Sequence, residues 1–169
     1  MPATARFNVL YVLVALGIAL APTRDSSAQS RTATVNVSIN GLARLTLSST
    51  GVSFPDSNPD LVPQVPGVPS ALAITVKART TLNATLRLSV LASDDLRSGI
   101  RTLPASNITW TATGAGFVPG ALNPTTPQSV GSWVNSGIRA GTQSLLFANL
   151  WTHPIGTYTL TMTYTLSSP

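Results

Sequence analysis

The ten residues from 157 to 166 alternate strictly between threonine and a large apolar side chain. The apolar members are Tyr158, Leu160, Met162, Tyr164 and Leu166. A period of two is typical of a β-strand with one buried face and one solvent-facing side. The pattern therefore predicts a C-terminal strand over 156–166 that packs on a core through its apolar face.

The same period of two recurs along the chain between turn signals. It predicts further strands over 32–39, 43–47, 72–79, 82–90, 108–112, 128–135 and 145–151. Asn40-Gly41 is a dipeptide typical of tight hairpins. The strands over 72–79 and 82–90 are predicted to form a long hairpin. Residues Gly137–Gly141 are predicted to form a turn. Prolines crowd segment 50–70, which is expected to be a connection or an edge cover. We predict an all-β fold, an Ig-like antiparallel β-sandwich of about seven to nine strands.

The N-terminus has the pattern of a secretory signal peptide. Arg6 supplies positive charge, residues 9–21 are apolar, and small residues precede Ala28, after which we predict cleavage. The apolar run is short for a retained membrane anchor. We therefore expect residues 1–28 to be a signal peptide and 29–169 to be one secreted domain without a membrane span.

Composition narrows the classes of function. The chain has no cysteine, so it forms no disulfide framework. Charged residues make up 9% of the chain and the formal net charge is +5, with the basic residues scattered singly. Nucleic-acid-binding proteins usually cluster such charges on one face, so we expect no nucleic-acid partner. The basic residues indicate solvated strand faces, with weak attraction to an anionic glycan as the alternative.

Groups suited to catalysis are few. The chain has one histidine, His153, and no glutamate or cysteine. His153 precedes a proline in a predicted turn, and no motif supplies it with an acid–base partner. Asp94 and Asp95 are adjacent, so on an extended chain they point in opposite directions and do not form a glycosidase pair. We expect no enzymatic activity and no cofactor.

Two other clusters could bind ligands. Segment Asp56-Ser57-Asn58-Pro59-Asp60 resembles the start of a calcium loop, but Leu61 replaces the required glycine and no bidentate glutamate follows. A turn capped by its own side chains is the expected structure there, with no metal. Most of the tryptophans fall on predicted inward positions and are expected in the core. Trp133 is the best candidate for an exposed aromatic ligand contact.

The end of the chain resembles that of bacterial WxL-domain surface proteins, which close with a Gly-x-Tyr strand, an aromatic-Thr-Leu step and a final proline. Tyr164-Thr165-Leu166 corresponds to their second Trp-x-Leu motif, and Ile108-Thr109-Trp110-Thr111-Ala112 to the first, with Ala112 in place of leucine. The resemblance implies an exported Ig-like sandwich that associates non-covalently with the cell wall.

The same ending also resembles pilin-like and spore-coat-like secreted sandwich subunits, in which a strand of one subunit completes the sheet of the next. The strand over 32–39 would be the donor, through Thr32, Thr34, Val35, Val37 and Ile39. Two functions are therefore expected. The first is a non-enzymatic cell-surface module that binds a cell-envelope component or glycan, and the alternative is a structural subunit that self-associates by strand addition.

Overall fold

A computed structural model describes residues 33–168. The predicted signal peptide, residues 1–28, and Thr32 of the predicted first strand lie outside the described residues. By its internal contacts the chain divides into two units, 1–37 and 38–169. All strands of the described residues belong to the second unit.

Eleven strands and one short 3₁₀ helix, Ala105–Asn107, form in this unit. The strands are β1 (Leu42–Leu47), β2 (Gln64–Pro66), β3 (Leu72–Arg79), β4 (Thr85–Ala92), β5 (Leu96–Ser98), β6 (Arg101–Leu103), β7 (Ile108–Thr113), β8 (Gly120–Ala121), β9 (Gln128–Val134), β10 (Gly137–Ala148) and β11 (Met162–Ser167). Four of them, β2, β5, β6 and β8, have only two or three residues. The other seven strands lie within the predicted number of seven to nine. The four short strands raise the total to eleven.

The strands form two main antiparallel sheets. The larger has the order β1-β3-β10-β7-β8, and β2 pairs with β10 beyond the end of β3. The smaller has the order β11-β4-β9, and β5 and β6 form a separate two-stranded sheet. The predicted all-β, antiparallel sandwich architecture is confirmed.

One apolar core lies between the two main sheets, because both inner faces carry apolar side chains at every second position. On β3 and β4 the side chains of Ile74, Val76, Leu88 and Val90 have no exposed surface. Trp110 of β7 lies in the same core with 2% of its surface exposed, and its indole N–H donates to the carbonyl oxygen of Val118 at 2.9 Å. The alternation of the sequence therefore identifies the core correctly.

The predicted hairpin of β3 with β4 is wrong. β3 pairs with β1 and β10, whereas β4 pairs with β11 and β9 in the other sheet. The chain crosses between the sheets at residues 80–84, where Asn83 has a φ of 65° and its N–H donates to Asn135 Oδ1 at 2.6 Å. Two amphipathic strands joined by a short turn have the same pattern in a hairpin and in an arch between sheets.

The predicted turn at Gly137–Gly141 is also wrong, because these residues begin the twelve-residue strand β10. The chain reverses earlier, at Asn135, whose φ of 68° lies in the left-handed region. β10 then ends at Ala148. Trp151, expected on the inner face of a strand over 145–151, lies instead in a turn with 70% of its surface exposed.

The C-terminal alternation is present, but its strand is shorter than predicted. β11 covers Met162–Ser167, while residues 156–161 are irregular apart from one bridge between Thr159 and Arg97. Along 157–166 every threonine is exposed and every apolar residue is half-buried. The face that the sequence predicts to be buried is therefore only partly covered.

Candidate functional site

β1 and β11 are the outermost strands of their sheets, and they approach each other at one side of the sandwich. Within residues 33–168, β1 pairs only with β3 and β11 only with β4. Each therefore presents one backbone edge without a strand partner in this part of the chain. An open edge is a template for pairing with a further strand.

A groove lined largely by apolar side chains begins beside Leu47 of β1 and Met162 of β11 and continues between the segments that follow β1 and precede β11. Residues 47–57 form one wall, residues 156–164 form the other, and Leu72, Ile108 and Leu145 lie at its base. It consists of two adjoining cavities of about 300 and 520 Å³. The residues that line both are Val52, Phe54, Leu96, Tyr158 and Thr159. The groove is continuous, and its volume lies within the range of protein ligand clefts.

The groove explains why the C-terminal apolar face is half-buried. Leu160, Met162 and Tyr164 line the cavity, and Leu47 faces them from β1. All four are partly exposed, whereas residues of the neighbouring strands β3 and β4 that face the core are fully buried. A segment between β1 and β11 would cover these side chains.

A polar contact joins the two sheets beside the groove. Tyr164 Oη donates to Gln143 Oε1 at 2.5 Å, and Gln143 is completely buried. Burial raises the pKa of Tyr164 to about 12. Gln143 Nε2 has no hydrogen-bond partner among the described residues. Sequence patterns give no sign of this pair, because Gln143 lies in the first part of β10, where Arg139 and Gly141 interrupt the apolar inner face.

The predicted donor segment does not form a strand. Residues 33–41 have no secondary structure, and neither Asn40 nor Gly41 has the positive φ that a type I′ hairpin turn requires. Thr34 is exposed, as are the three apolar residues that follow it at alternate positions. These are Val35, Val37 and Ile39, with 83%, 77% and 73% of their surfaces exposed. The segment therefore offers an apolar row and a backbone that forms no strand pair with the described residues.

Trp133 is not an exposed aromatic. It lies in β9 with 7% of its surface exposed, packs edge-on against Phe117 with ring centroids 4.8 Å apart, and donates its indole N–H to Ala115 at 2.7 Å. Gly116 and Gly131 leave the space that the indole ring occupies. The expected exposure of Trp133 is therefore wrong, whereas its contact with a ligand stays a prediction.

The exposed tryptophan is Trp151, and it contacts the loop that resembles a calcium site. Its indole N–H donates to Asp60 Oδ1 at 3.0 Å. Within the loop, Asn58 Oδ1 accepts from the N–H of Asp60 at 2.9 Å, which is the turn predicted from the sequence. Asn149 Nδ2 donates to the carbonyl oxygens of Ser57 and Val62, at 2.9 and 3.1 Å, and fastens the loop to the end of β10.

The remaining ionisable candidates lie in structural turns. Asp94 pairs with Arg97 at 2.6 Å, and this hydrogen bond holds the pKa of Asp94 below its usual value. Asp95 Oδ1 accepts from the N–H of Ala105 at 2.8 Å. His153 Nε2 lies 3.3 Å from Asn107 Nδ2, and its ring packs against Phe147. The structure does not bring these three side chains together with a nucleophile.

No protein-family model matches the chain, and a comparison with curated proteins finds no relative. In the range 33–168 no helix is long and apolar enough to cross a bilayer.

Proposed function

We propose that this chain is an exported, non-enzymatic structural subunit that assembles by strand addition. The predicted signal peptide supports export. The observation that carries the proposal is the open apolar groove between β1 and β11, together with an apolar segment, residues 33–39, that forms no strand pair with the described residues. Segment 33–39 of one copy fills the groove of another.

The chemistry of the segment fits this role. Val35, Val37 and Ile39 point to one side of an extended strand, so all three enter the groove together. Seven residues span about 23 Å at roughly 3.3 Å per residue. Burying three such side chains stabilises the complex by about 5–9 kcal/mol before the entropy of association is subtracted. The two open edges supply backbone partners on both sides of the inserted strand.

A second copy is a better donor than the segment's own domain. Folding 33–39 back onto its own β1 requires a tight turn at Asn40-Gly41, and these residues do not adopt it. Insertion into a neighbouring copy leaves them extended. Since each copy has one donor segment and one groove, the product is a chain of subunits.

Sedimentation velocity of the purified chain tests this proposal. We expect a series of oligomers that grows with concentration. Val37→Asp places a charge in the groove and should leave monomers, because burying an unpaired carboxylate is costly. Ser38→Asp is the matched control, since its side chain points to the opposite side of the strand. Equal assembly of both variants and the wild type, or a wild-type protein that stays monomeric, would contradict strand addition.

A cell-wall-associated binding module is the second candidate. Exposed basic side chains without acidic partners favour it, since Arg44 lies directly opposite Lys77 in the pairing of β1 with β3. Such a surface attracts an anionic polymer, and salt weakens the attraction. We expect co-sedimentation with isolated cell envelopes that declines as salt rises. A protein that stays in the supernatant at low salt would contradict this candidate.

A further inference from the structure

The strand register defines two opposite ends of the domain. At one end, β1 begins at Leu42 opposite Arg79, and β10 begins at Gly137 opposite Ala78. At the other end, β1 finishes at Leu47 opposite Ile74 and β10 finishes at Ala148 opposite Gln64. The segment 33–39 precedes β1, so the chain enters the domain at the first of these ends.

The end at which the chain enters is basic. Arg44 and Lys77 are direct cross-strand neighbours, and Arg79 lies two residues beyond Lys77 on the same exposed face. Like charges in this arrangement repel each other. Within residues 33–168 none of the three forms an ion pair, because the one salt bridge there joins Asp94 and Arg97. We call Arg44, Lys77 and Arg79 the basic end.

Apolar side chains are exposed beside these charges. Leu42 lies opposite Arg79, and Ile138 lies opposite Lys77. Their exposed fractions are 66% and 65%. The surface therefore combines three cations with two large aliphatic groups, a combination that suits a partner with both carboxylates and apolar surface.

The opposite end carries that complementary combination. Asp56 and Asp60 are exposed in the loop after β1, and Trp151 is held against Asp60 by its indole hydrogen bond. Leu61, beside them, has 79% of its surface exposed. Because Asn149 fastens the loop to β10, the carboxylates and the indole are held in place. We call Asp56, Asp60 and Trp151 the acidic tip.

We propose that the basic end of one copy docks on the acidic tip of the next, so that subunits join head to tail. This inference rests on strand addition and names a second contact between the same two copies. Attraction between opposite charges steers their encounter. An exposed indole face also binds a guanidinium or ammonium group, which gives Trp151 a role beside the carboxylates.

The direction of strand insertion agrees with this docking. Asp56 and Ser57 of the tip loop line the groove, so the groove reaches the tip. A donor segment that enters there has residue 39 near the tip and residue 33 deeper in the groove. It then runs antiparallel to β11, which extends from Met162 near the tip to Ser167 opposite Arg87. The same donor runs parallel to β1, so the antiparallel pairing found for every strand pair within residues 33–168 is made with β11 alone.

Such a contact joins different surfaces of the two copies. A contact of this kind gives rings when its rotation closes and open filaments when it does not. When the rotation does not close, the assembly is polar, with a free basic end at one terminus and a free acidic tip at the other.

Charge reversal with rescue tests the docking. Lys77→Glu with Arg79→Glu reverses the basic end, and Asp56→Lys with Asp60→Lys reverses the acidic tip. We expect each double variant to self-associate at least about tenfold more weakly than the wild type at low salt. A mixture of the two should assemble again, because the reversed surfaces are complementary. Arg87→Glu, on the smaller sheet, is the matched control and should assemble as the wild type does.

The outcomes separate docking from strand addition. If both double variants assemble like the wild type while Val37→Asp remains monomeric, docking is wrong and strand addition stands. If the wild type does not assemble, both proposals fail. If the basic-end variant loses envelope binding and the mixture is not rescued, the basic end serves the wall-binding candidate and docking is overturned.

Discussion

Tyr164 and Gln143 connect the two sheets of the sandwich through a hydrogen bond of 2.5 Å at the edge of the apolar groove. Tyr164 comes from β11 of the smaller sheet, and Gln143 from β10 of the larger. The pair fixes the spacing of the sheets at the side where no strand closes the sandwich among the described residues. Its phenol must stay protonated to donate this hydrogen bond.

Alkaline pH should therefore weaken the fold through Tyr164. Its pKa is raised to about 12 in the folded protein, against about 10 for an unfolded tyrosine. Between these values the folded state holds a proton that the unfolded state has lost, so stability is full below pH 10 and falls as pH rises towards 12. The loss from this group should be about 2 kcal/mol. Urea unfolding of the wild type at several pH values measures it.

Tyr164→Phe is the control for this pH dependence. The variant loses the hydrogen bond, so at pH 7 it should be about 1 kcal/mol less stable than the wild type. It has no phenol to titrate, and its stability should decline less between pH 10 and 12. If the stability of the two proteins declined equally with pH, Tyr164 would have the same pKa in the folded and unfolded states.

Trp110→Ala should strongly destabilise the domain. Trp110 is almost fully buried between the sheets, so truncation leaves a large cavity and an unpaired carbonyl on Val118. We expect a loss of about 3–5 kcal/mol in the free energy of unfolding. Trp151→Ala, at the exposed tryptophan, should change it by less than about 0.5 kcal/mol. Denaturant unfolding curves of both variants measure the contrast, and similar losses would contradict the burial assigned to the two side chains.

Gly116→Ala should disrupt the packing of Trp133. Gly116 has a φ of +81°, and an added Cβ would lie 2.7 Å from the carbonyl oxygen of Ser132 and even nearer the indole ring. Both the strain and the collision oppose folding, so we expect a loss of more than about 1 kcal/mol. Gly51→Ala is the matched control, since nothing lies within 4 Å of its added Cβ. Thermal unfolding should separate the two variants, and equal melting temperatures would refute the explanation.

Asn149→Ala should release the tip loop from β10. The side chain donates to two loop carbonyls, on Ser57 and Val62, and both lose their partner in the variant. We expect a cost of about 1–3 kcal/mol and faster proteolysis within residues 49–63. Cleavage mapped by mass spectrometry tests this. Unchanged cleavage of the loop would mean that other contacts hold it.

The sequence was informative wherever a strand has one face in the core. The boundaries of β3 and β7 and the inner positions of β4 follow from the period of two. The same pattern does not reveal which sheet a strand joins, so it predicts a hairpin of β3 with β4 that the fold does not contain. Pairing between distant strands depends on the whole chain, and a local pattern does not contain it.

At the candidate site, too, the sequence pattern predicts some features and cannot predict others. The sequence shows an apolar row at Val35, Val37 and Ile39, but it does not show that these side chains are exposed and form no strand with the described residues. Trp133, which is expected to be exposed, is buried, and Trp151, which is expected in the core, is exposed. Gly116 and Gly131 make room for the first ring, and the end of β10 at Ala148 leaves the second in a turn. The groove itself arises from two sheet edges that are far apart along the chain.

Intermolecular cross-linking tests the central claim most directly. The chain has no cysteine, so every introduced thiol is unique. Val37→Cys protein would be mixed with Leu160→Cys, Met162→Cys or Tyr164→Cys protein, oxidised and separated by non-reducing electrophoresis. Strand addition predicts that at least one mixture yields a disulfide-linked heterodimer, and that Ser38→Cys in place of Val37→Cys does not. If none of the three mixtures cross-links, or if Ser38→Cys links equally well, segment 33–39 does not occupy the groove of a second copy.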